Sequence, residues 1–286
     1  MLRLEGVSKV FKTGTFGGSA LTAVSDVSLE IRPGEIVSLI GESGSGKTTV
    51  GKMILRLTPA TEGSITFEGR DVSAFSRREL HGYYGRVQGV FQDPFSSYNP
   101  VFKVDRVFEM VRTAYLPGLT GAEWSKRRQR ALEDVGLEPA DVLGKYPHQL
   151  SGGQLQRLLV SRALLLDIDI LVADEIISML DASTRIDVLN ILGDLGKRGL
   201  GVLFITHDLA LGNYISDRVV IMQRGRIVEM GPTPKVFTAP AHPYTRMLLT
   251  CVPQLTAKWE ATPSVDEPAD GTKTLQLIDN DHYVER

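Results

Sequence analysis

The stretch Gly41-Glu42-Ser43-Gly44-Ser45-Gly46-Lys47-Thr48-Thr49 constrains this chain more than any other part of it. It satisfies G-x-x-x-x-G-K-[ST], with Gly41, Gly46, Lys47 and Thr48 at the defining places. The flanks give the motif its force. Ile36-Val37-Ser38-Leu39-Ile40 is a β-branched apolar run that reads as a buried strand. Val50, Met53, Ile54 and Leu57 recur at i, i+3, i+4, i+7 and predict a helix from Lys47 onward. Strand, glycine loop and helix form the setting that this motif requires. The glycines let the backbone curl until successive N–H groups, from Ser43 to Thr49, point inward. Together with the positive end of the helix dipole, those groups hold phosphate oxygens. Lys47 then reaches the β- and γ-phosphates, and the Thr48 hydroxyl is placed to ligate Mg²⁺.

Composition narrows the setting. A chain of 286 residues with 42% hydrophobic side chains suits one large domain, or a core with appendages. A net charge of −2 gives no global reason to expect nucleic acid or an anionic membrane surface as partner. The one cysteine, Cys251, excludes an internal disulfide and a cysteine-only metal cluster, and favours a cytosolic setting. Met1 to Glu5 opens directly into strand-like sequence, so no secretory leader is expected. The longest apolar stretch, near Ala163–Leu180, is broken by Asp167, Asp169, Asp174 and Glu175, short of the ~20 residues a membrane helix needs. Work at a membrane would therefore go through a partner.

Along the chain, Leu2–Val7 and Ala23–Ile31 read as strands, separated by the Gly-rich loop Lys12–Ser19. Phe11, just after the first strand, reads equally as a core side chain or as a ring for stacking on a base. Gly63–Gly69 reads as a strand and turn, and Val87–Phe91 as a strand that ends at Gln92-Asp93-Pro94. From Val104 to Leu143 the pattern turns helical and polar; its cluster Lys126, Arg127, Arg128 and Arg130 is read as a solvated helix face.

Leu150-Ser151-Gly152-Gly153-Gln154 opens another helix, with Ser151 a natural N-cap and two glycines leaving N–H groups uncovered. One nucleotide does not need two such helix starts far apart in one chain. The economical explanation is that this one faces the γ-phosphate held by the loop of another copy. Ile168–Ala173 reads as a buried parallel strand that delivers Asp174 and Glu175 at its carboxyl end, where ligands bind in open α/β sheets. Asp174 would hold Mg²⁺ through water and Glu175 would act as general base on a water. Ser178–Asp181 leads into a helix with Val188, Ile191, Leu192 and Leu195 on one face. Gly201–Thr206 is the next buried strand, and His207 follows it, within reach of a γ-phosphate. Arg218–Gln223 and Arg226–Met230 form a hairpin about Arg224-Gly225. A short helical tail follows Pro232, and from Pro253 the chain is polar and without periodicity.

Taken together, these motifs resemble the ATP-binding subunit of ABC transporters over residues 1–250. Gly41–Thr49 match the Walker A loop, Phe11 the adenine-stacking aromatic, and Gln92 the Q-loop glutamine, which contacts Mg²⁺ or the attacking water. Leu150–Gln154 match the signature, Asp174 and Glu175 the Walker B pair, Asp181 the D-loop acid and His207 the switch histidine. The resemblance implies an α/β P-loop NTPase: a RecA-like core with an N-terminal antiparallel β-subdomain, an inserted α-helical subdomain and a short C-terminal extension. The boundaries expected are 1–92 for the β-subdomain and first part of the core, 93–158 for the helical signature subdomain, 159–235 for the second part of the core and 236–286 for the extension, its end flexible.

Phe91–Pro100, Gly231–Phe237 and His242-Pro243-Tyr244-Thr245-Arg246 resemble the oligopeptide/dipeptide branch of importers. That branch also includes nickel and oligosaccharide importers, so the cargo stays open. Some branch members carry a C-terminal cysteine cluster, which Cys251 alone cannot build. The resemblance implies ATP and Mg²⁺, a second and different cassette, two transmembrane permease subunits and an extracytoplasmic binding protein, with the chain on the cytoplasmic face of the membrane. One departure stands out. Where the family has Pro-Thr after the acidic pair, this chain has Ile176-Ile177. That removes a φ restraint beside Glu175 and makes the loop stiffer and more apolar. The acids and the spacing to Asp181 survive, so hydrolysis is expected to be retained.

Three rival readings fit less well. Translation-control ABC ATPases carry two cassettes in one chain. Chromosome ATPases place a long coiled coil between the glycine loop and the signature, and no sustained heptads occur there. A small-molecule kinase has no use for the signature or for Glu175.

Overall fold

The computed structural model describes residues 1–12, 20–250, 274–279 and 281–285. In chain order it has strands β1 (Leu2–Lys12), β2 (Ala20–Ile31) and β3 (Ile36–Ile40), helix α1 (Lys47–Ile54), strands β4 (Glu62–Phe67) and β5 (Arg70–Asp71), helix α2 (Arg77–Arg86) and strand β6 (Val87–Val90). Helices α3 (Asp105–Tyr115), α4 (Gly121–Glu133), α5 (Pro139–Val142) and α6 (Gly152–Leu164) follow. Next come β7 (Ile170–Asp174), α7 (Ala182–Lys197), β8 (Gly201–Thr206), α8 (Leu209–Ile215), β9 (Arg218–Gln223) and β10 (Arg226–Pro232). The chain closes with α9 (Thr233–Thr238), α10 (Pro243–Thr250), β11 (Leu275–Asp279) and β12 (His282–Glu285). It divides into two compact units, Met1–Ala74 with Leu203–Arg286, and Phe75–Val202.

The first unit carries an antiparallel sheet of order β2-β1-β4-β5, with Leu2 opposite Ile31 on one side and Phe67 on the other. Its larger sheet runs β11-β12-β10-β9-β3, with β8 beside β3. Strand β3 is buried along its whole length and pairs in parallel with β9, Ile40 opposite Ile221, as an apolar run without alternation requires. Strands β9 and β10 form the expected hairpin. Its turn residues Arg224 and Gly225 both have positive φ, which keeps the twist of the two strands compatible.

In the second unit β6 and β7 pair in parallel, Val87 opposite Ile170 and Val90 opposite Ala173. Around them lie α2 to α7. Helix α6 buries Leu155, Leu158, Leu159, Val160 and Ala163, so most of its circumference is core. The helical stretch expected from Val104 to Leu143 resolves into three pieces. Breaks fall at Pro117-Gly118 and at Gly136, whose φ is +65°.

Several local expectations need correction. Helix α1 stops at Ile54, because Arg56 turns into the left-handed region with φ +55°; Leu57, read as part of the apolar face, is 59% exposed. Strand β1 continues past Val7, through register shifts, to include Phe11. The basic cluster on α4 is partly tethered: Arg127 donates to the Leu165 carbonyl at 2.6 Å and to Asp167 at 2.8 Å. In the stretch read as polar and without periodicity, β11 and β12 pair antiparallel, and β12 adds to β10. The Gly-rich loop expected at Lys12–Ser19 falls almost wholly outside the described residues, as do Cys251 and the polar stretch that follows it.

Candidate functional site

In the first unit, Gly41–Thr49 links β3 to α1. Gly46 is the residue before the helix, with φ +102°, and a Cβ there would stand 2.4 Å from the Ala23 carbonyl oxygen. Only glycine lets the backbone pass so close and turn that way. The loop is tied down at Ser45, whose carbonyl accepts from Gly225 N–H at 3.0 Å while its N–H donates to Glu42 O at 3.2 Å. Lys47 is buried. Its ammonium donates to the carbonyls of Gly41 at 2.7 Å and Glu42 at 2.8 Å, with Ser45 Oγ at 3.4 Å. A charge folded back on its own loop beside a helix start is the donor set that a phosphate chain fits. Ser43, Gly44 and Thr48 are exposed at this loop, and Thr49 is half-buried.

The same unit holds His207 and Phe11. His207 is exposed and follows β8, the neighbour of β3; Asp208 after it caps α8 by accepting from Ala210 N–H at 2.8 Å. Phe11 is 38% exposed, with the Lys9 ammonium 5.0 Å from its ring centre, so it is an open ring rather than a core side chain.

The second unit contains Gln92, Asp174, Glu175, Asp181 and Ser151–Gln154. The parallel pairing of β6 with β7 puts Gln92, two residues past β6, at the same end as Asp174 and Glu175. Gln92 is exposed, and Asp174 is buried as the last residue of β7. Helix α6 reaches the backbone that precedes Gln92 twice. Gln156 Nε2 donates to Phe91 O at 3.4 Å, and Arg162 donates to Gly89 O at 2.9 Å. Arg162 is half-buried, and desolvation lowers its pKa, although Tyr98 nearby opposes that shift.

Glu175 has φ +50°, a strained conformation for a residue with a side chain. The loop after it supplies the restraint. The Ser178 N–H and hydroxyl both donate to Glu175 O, at 3.2 and 2.9 Å. Ile176 and Ile177, which stand where the resemblance leads one to expect Pro-Thr, are both almost fully buried and anchor the turn by packing. Arg185 in α7 completes the clasp, donating to Leu180 O at 2.8 Å and Ser178 O at 3.3 Å. Arg185 carried no signal in the sequence, because its role depends on where α7 folds.

Ser151 is exposed and caps α6 as expected. Its hydroxyl accepts from Gln154 N–H at 3.2 Å and Gln154 Oε1 accepts from Ser151 N–H at 2.9 Å. Asp181 is the N-cap of α7. Its carboxylate accepts from the Ser183 hydroxyl at 2.6 Å, Thr184 N–H at 3.0 Å and the Thr184 hydroxyl at 2.8 Å, and these donors hold its pKa well below the usual carboxylate range. The two caps are linked by packing, because Gly153 lies directly against Thr184.

Comparison with known proteins bears on both units. The ABC transporter family model matches residues 24–178, and the model for the oligopeptide/dipeptide transporter C-terminal region matches residues 228–274. A "Putative peptide import ATP-binding protein" of Brucella ovis is 43% identical over 255 residues, covering 88% of this chain and 78% of that protein. The glutathione import ATP-binding protein GsiA of Salmonella paratyphi A is 39% identical over 92% of this chain, which spans 44% of GsiA. Among solved structures, the dimeric post-hydrolysis state of the ATP-binding cassette MJ0796, bound to ADP and Pi, superposes with a TM-score of 0.72. It is 29% identical and covers 82% of this chain and 99% of that one.

Proposed function

Because this chain belongs to the ABC transporter family, as an ATP-binding subunit that hydrolyses ATP, we propose that it drives an importer of oligopeptides or dipeptides. ATP-binding proteins of such importers act with membrane permease components. No helix among the described residues is long and apolar enough to cross a membrane, so contact with the bilayer would run through those components. Peptide cargo is supported by the match to the oligopeptide/dipeptide C-terminal region and by the peptide-import relatives.

The observation that carries this reading is that one chain has two glycine-bearing helix starts, at Gly46-Lys47 for α1 and at Ser151-Gly152-Gly153 for α6, with Ser151 exposed; we read both as backbone anion sites. ATP held on the loop of one cassette would be covered by Ser151–Gln154 of another, with Asp181 beside it. We assign the partner cassette to a different chain, giving a heterodimer on two permeases, served by an extracytoplasmic binding protein at the opposite face of the membrane. Phosphoryl transfer to water needs mainly positioning and charge stabilisation. Lys47 would neutralise the β- and γ-phosphates, Glu175 would take the proton of the attacking water, and Gln92 and His207 would orient that water and the γ-phosphate. Phe11 would stack on the adenine. Mg²⁺, when bound, supplies charge neutralisation at the phosphates; Thr48, Gln92 and, through water, Asp174 offer the hard oxygen donors it prefers. Phe95, Val101 and Phe102, which follow Gln92 in the chain, and Met110 on α3 are exposed apolar side chains that a permease segment would contact.

Affinity capture of the tagged chain from membranes tests this reading. A second cassette and two permeases should be recovered, and peptide-loaded binding protein should stimulate ATP turnover in the reconstituted assembly. Recovery with ribosomes or DNA instead would overturn it.

A further inference from the structure

The motif His242-Pro243-Tyr244 identifies a branch of the family but has no part in the chemistry above. Its surroundings give it one. The Tyr244 ring is 1% exposed and packs in a cluster with Ile40, Leu209, Val219, Ile221, Val228 and Val236. Ile40 is the last residue of β3, immediately before the glycine loop. The Tyr244 hydroxyl reaches past it and accepts a hydrogen bond from the Glu42 N–H at 3.3 Å. Burial pushes this phenol up to about 12, so it stays neutral and keeps its lone pairs for that donor. The Glu42 carbonyl, for its part, accepts from Lys47 at 2.8 Å and from Ser45 N–H at 3.2 Å. The Glu42 peptide is thus held on both sides, by Tyr244 at its N–H and by the loop itself at its carbonyl. A phosphate that draws the Lys47 ammonium away removes one of the loop's own restraints. The restraint from Tyr244 is independent of Lys47.

Tyr244 is itself held in place. Glu229 in β10 is fully buried, and its carboxylate accepts from Ala241 N–H at 2.9 Å and His242 N–H at 3.0 Å. His242 Nδ1 accepts from Tyr244 N–H at 3.1 Å. The Glu229 carboxylate also lies 2.6 Å from His282 Nε2, brought there by β12 pairing with β10. A buried carboxylate with three hydrogen-bond partners fixes the start of α10, and with it the direction of the phenol.

We propose that Tyr244 is a positioning residue of the nucleotide loop, and that Glu229, His242 and His282 hold it there, so that the carboxyl-terminal part of the chain sets nucleotide affinity. The proposal rests on the assignment of Gly41–Thr49 as the ATP loop. Tyr244→Phe keeps the ring in its cluster and removes only the acceptor. In the full-length chain, calorimetry should show the Kd for ATP and for ADP rising together by about threefold to tenfold, the equivalent of one neutral hydrogen bond. KM for ATP should rise in step while kcat changes less than about twofold, because a preorganised loop serves ground state and transition state alike. Glu229→Gln, which touches no part of the loop, should raise both Kd values in the same direction. A folded Tyr244→Phe chain with unchanged Kd, or one with a lowered melting temperature alone, would overturn the proposal. So would unchanged nucleotide binding in Glu229→Gln. If the unaltered chain bound neither nucleotide, the loop assignment would be what fails.

Discussion

The Thr184 methyl fills the space that a side chain on Gly153 would need: a Cβ on Gly153 would stand 2.5 Å from Thr184 Cγ2. Thr184 cannot simply rotate away, because its hydroxyl and its N–H both donate to Asp181. The start of the signature helix and the cap of α7 therefore share one contact. Gly153→Ala should overpack it, lowering stability by about 1–3 kcal/mol and slowing ATP turnover. Thr184→Ser deletes the methyl and keeps the hydroxyl, so the double variant Gly153→Ala/Thr184→Ser should regain most of both. Thermal melts and steady-state hydrolysis on the four chains of this cycle measure the coupling; strict additivity would show that the two residues do not communicate.

Arg185 replaces by hydrogen bonding part of what a proline would supply by covalent restraint. It donates to Ser178 O and Leu180 O, on the loop that holds Glu175 at φ +50°. Removing it leaves two carbonyls short of a charged donor and lets that backbone relax. Arg185→Ala should cost about 2 kcal/mol in stability and lower kcat while leaving the Kd for ATP unchanged. Lysine keeps the charge but not the fork geometry, so Arg185→Lys should fall between the two. Equal kcat in all three chains would deny the loop this support.

The elements that bear motifs were legible in the sequence because their chemistry is local. Ser151 and Gln154 spell a cap, Asp174 closes an apolar run, and Gly46-Lys47 fixes where α1 begins. Elements whose reason is tertiary were not. Helix α2 announces itself only by the capping box of Ser76 and Glu79, and it buries a single residue, Tyr83, too little for an apolar face to show. Strand β12 buries His282 and Glu285, polar residues whose partners Glu229 and Arg226 lie far away in the chain, so hydropathy points the wrong way. Phe11 was undecidable because a strand-end ring looks the same whether it faces core or ligand. The packing of Gly153 on Thr184 and the clasp by Arg185 exist only once α6 and α7 have come together.

The Lys47 ammonium is buried against Gly41 O and Glu42 O, and in the proposed role it would trade those carbonyls for phosphate oxygens when nucleotide binds. Lys47→Ala should weaken ATP binding by about tenfold to a hundredfold, the value of a charge-assisted hydrogen bond, as read by equilibrium titration. Unchanged affinity would remove this side chain from the phosphates.

Asp181 gives a pH signature with a definite sign. The Ser183 hydroxyl, the Thr184 N–H and the Thr184 hydroxyl favour its charged form and hold its pKa below the unfolded value of about 3.9. A carboxylate shifted downward contributes stability above that value, and the contribution is lost as pH falls through the native pKa. Compared with Asp181→Asn, the unaltered chain should be more stable by a constant margin above about pH 5, and the margin should shrink below about pH 4. Denaturant melts of both chains across this range measure the margin, and one that grew on acidification would contradict the cap.

With Glu175 proposed as the general base, turnover should depend on it most directly. It follows Asp174 at the end of β7, and its backbone is held by Ser178, so a change at its side chain alone need not move the strand. Glutamine has nearly the same volume and can occupy the same strained φ, but it cannot accept the proton of an attacking water. Glu175→Gln should therefore bind ATP with unchanged affinity while hydrolysis falls by about 10²-fold or more, the usual worth of a general base. Since ATP would then persist between the loop of one cassette and Ser151 of the other, the variant with its partner should elute as a stable dimer in ATP and separate in ADP. Near-normal hydrolysis by Glu175→Gln would take Glu175 out of the base role. Arrested hydrolysis without an ATP-dependent dimer would instead break the link between the α6 start and the nucleotide.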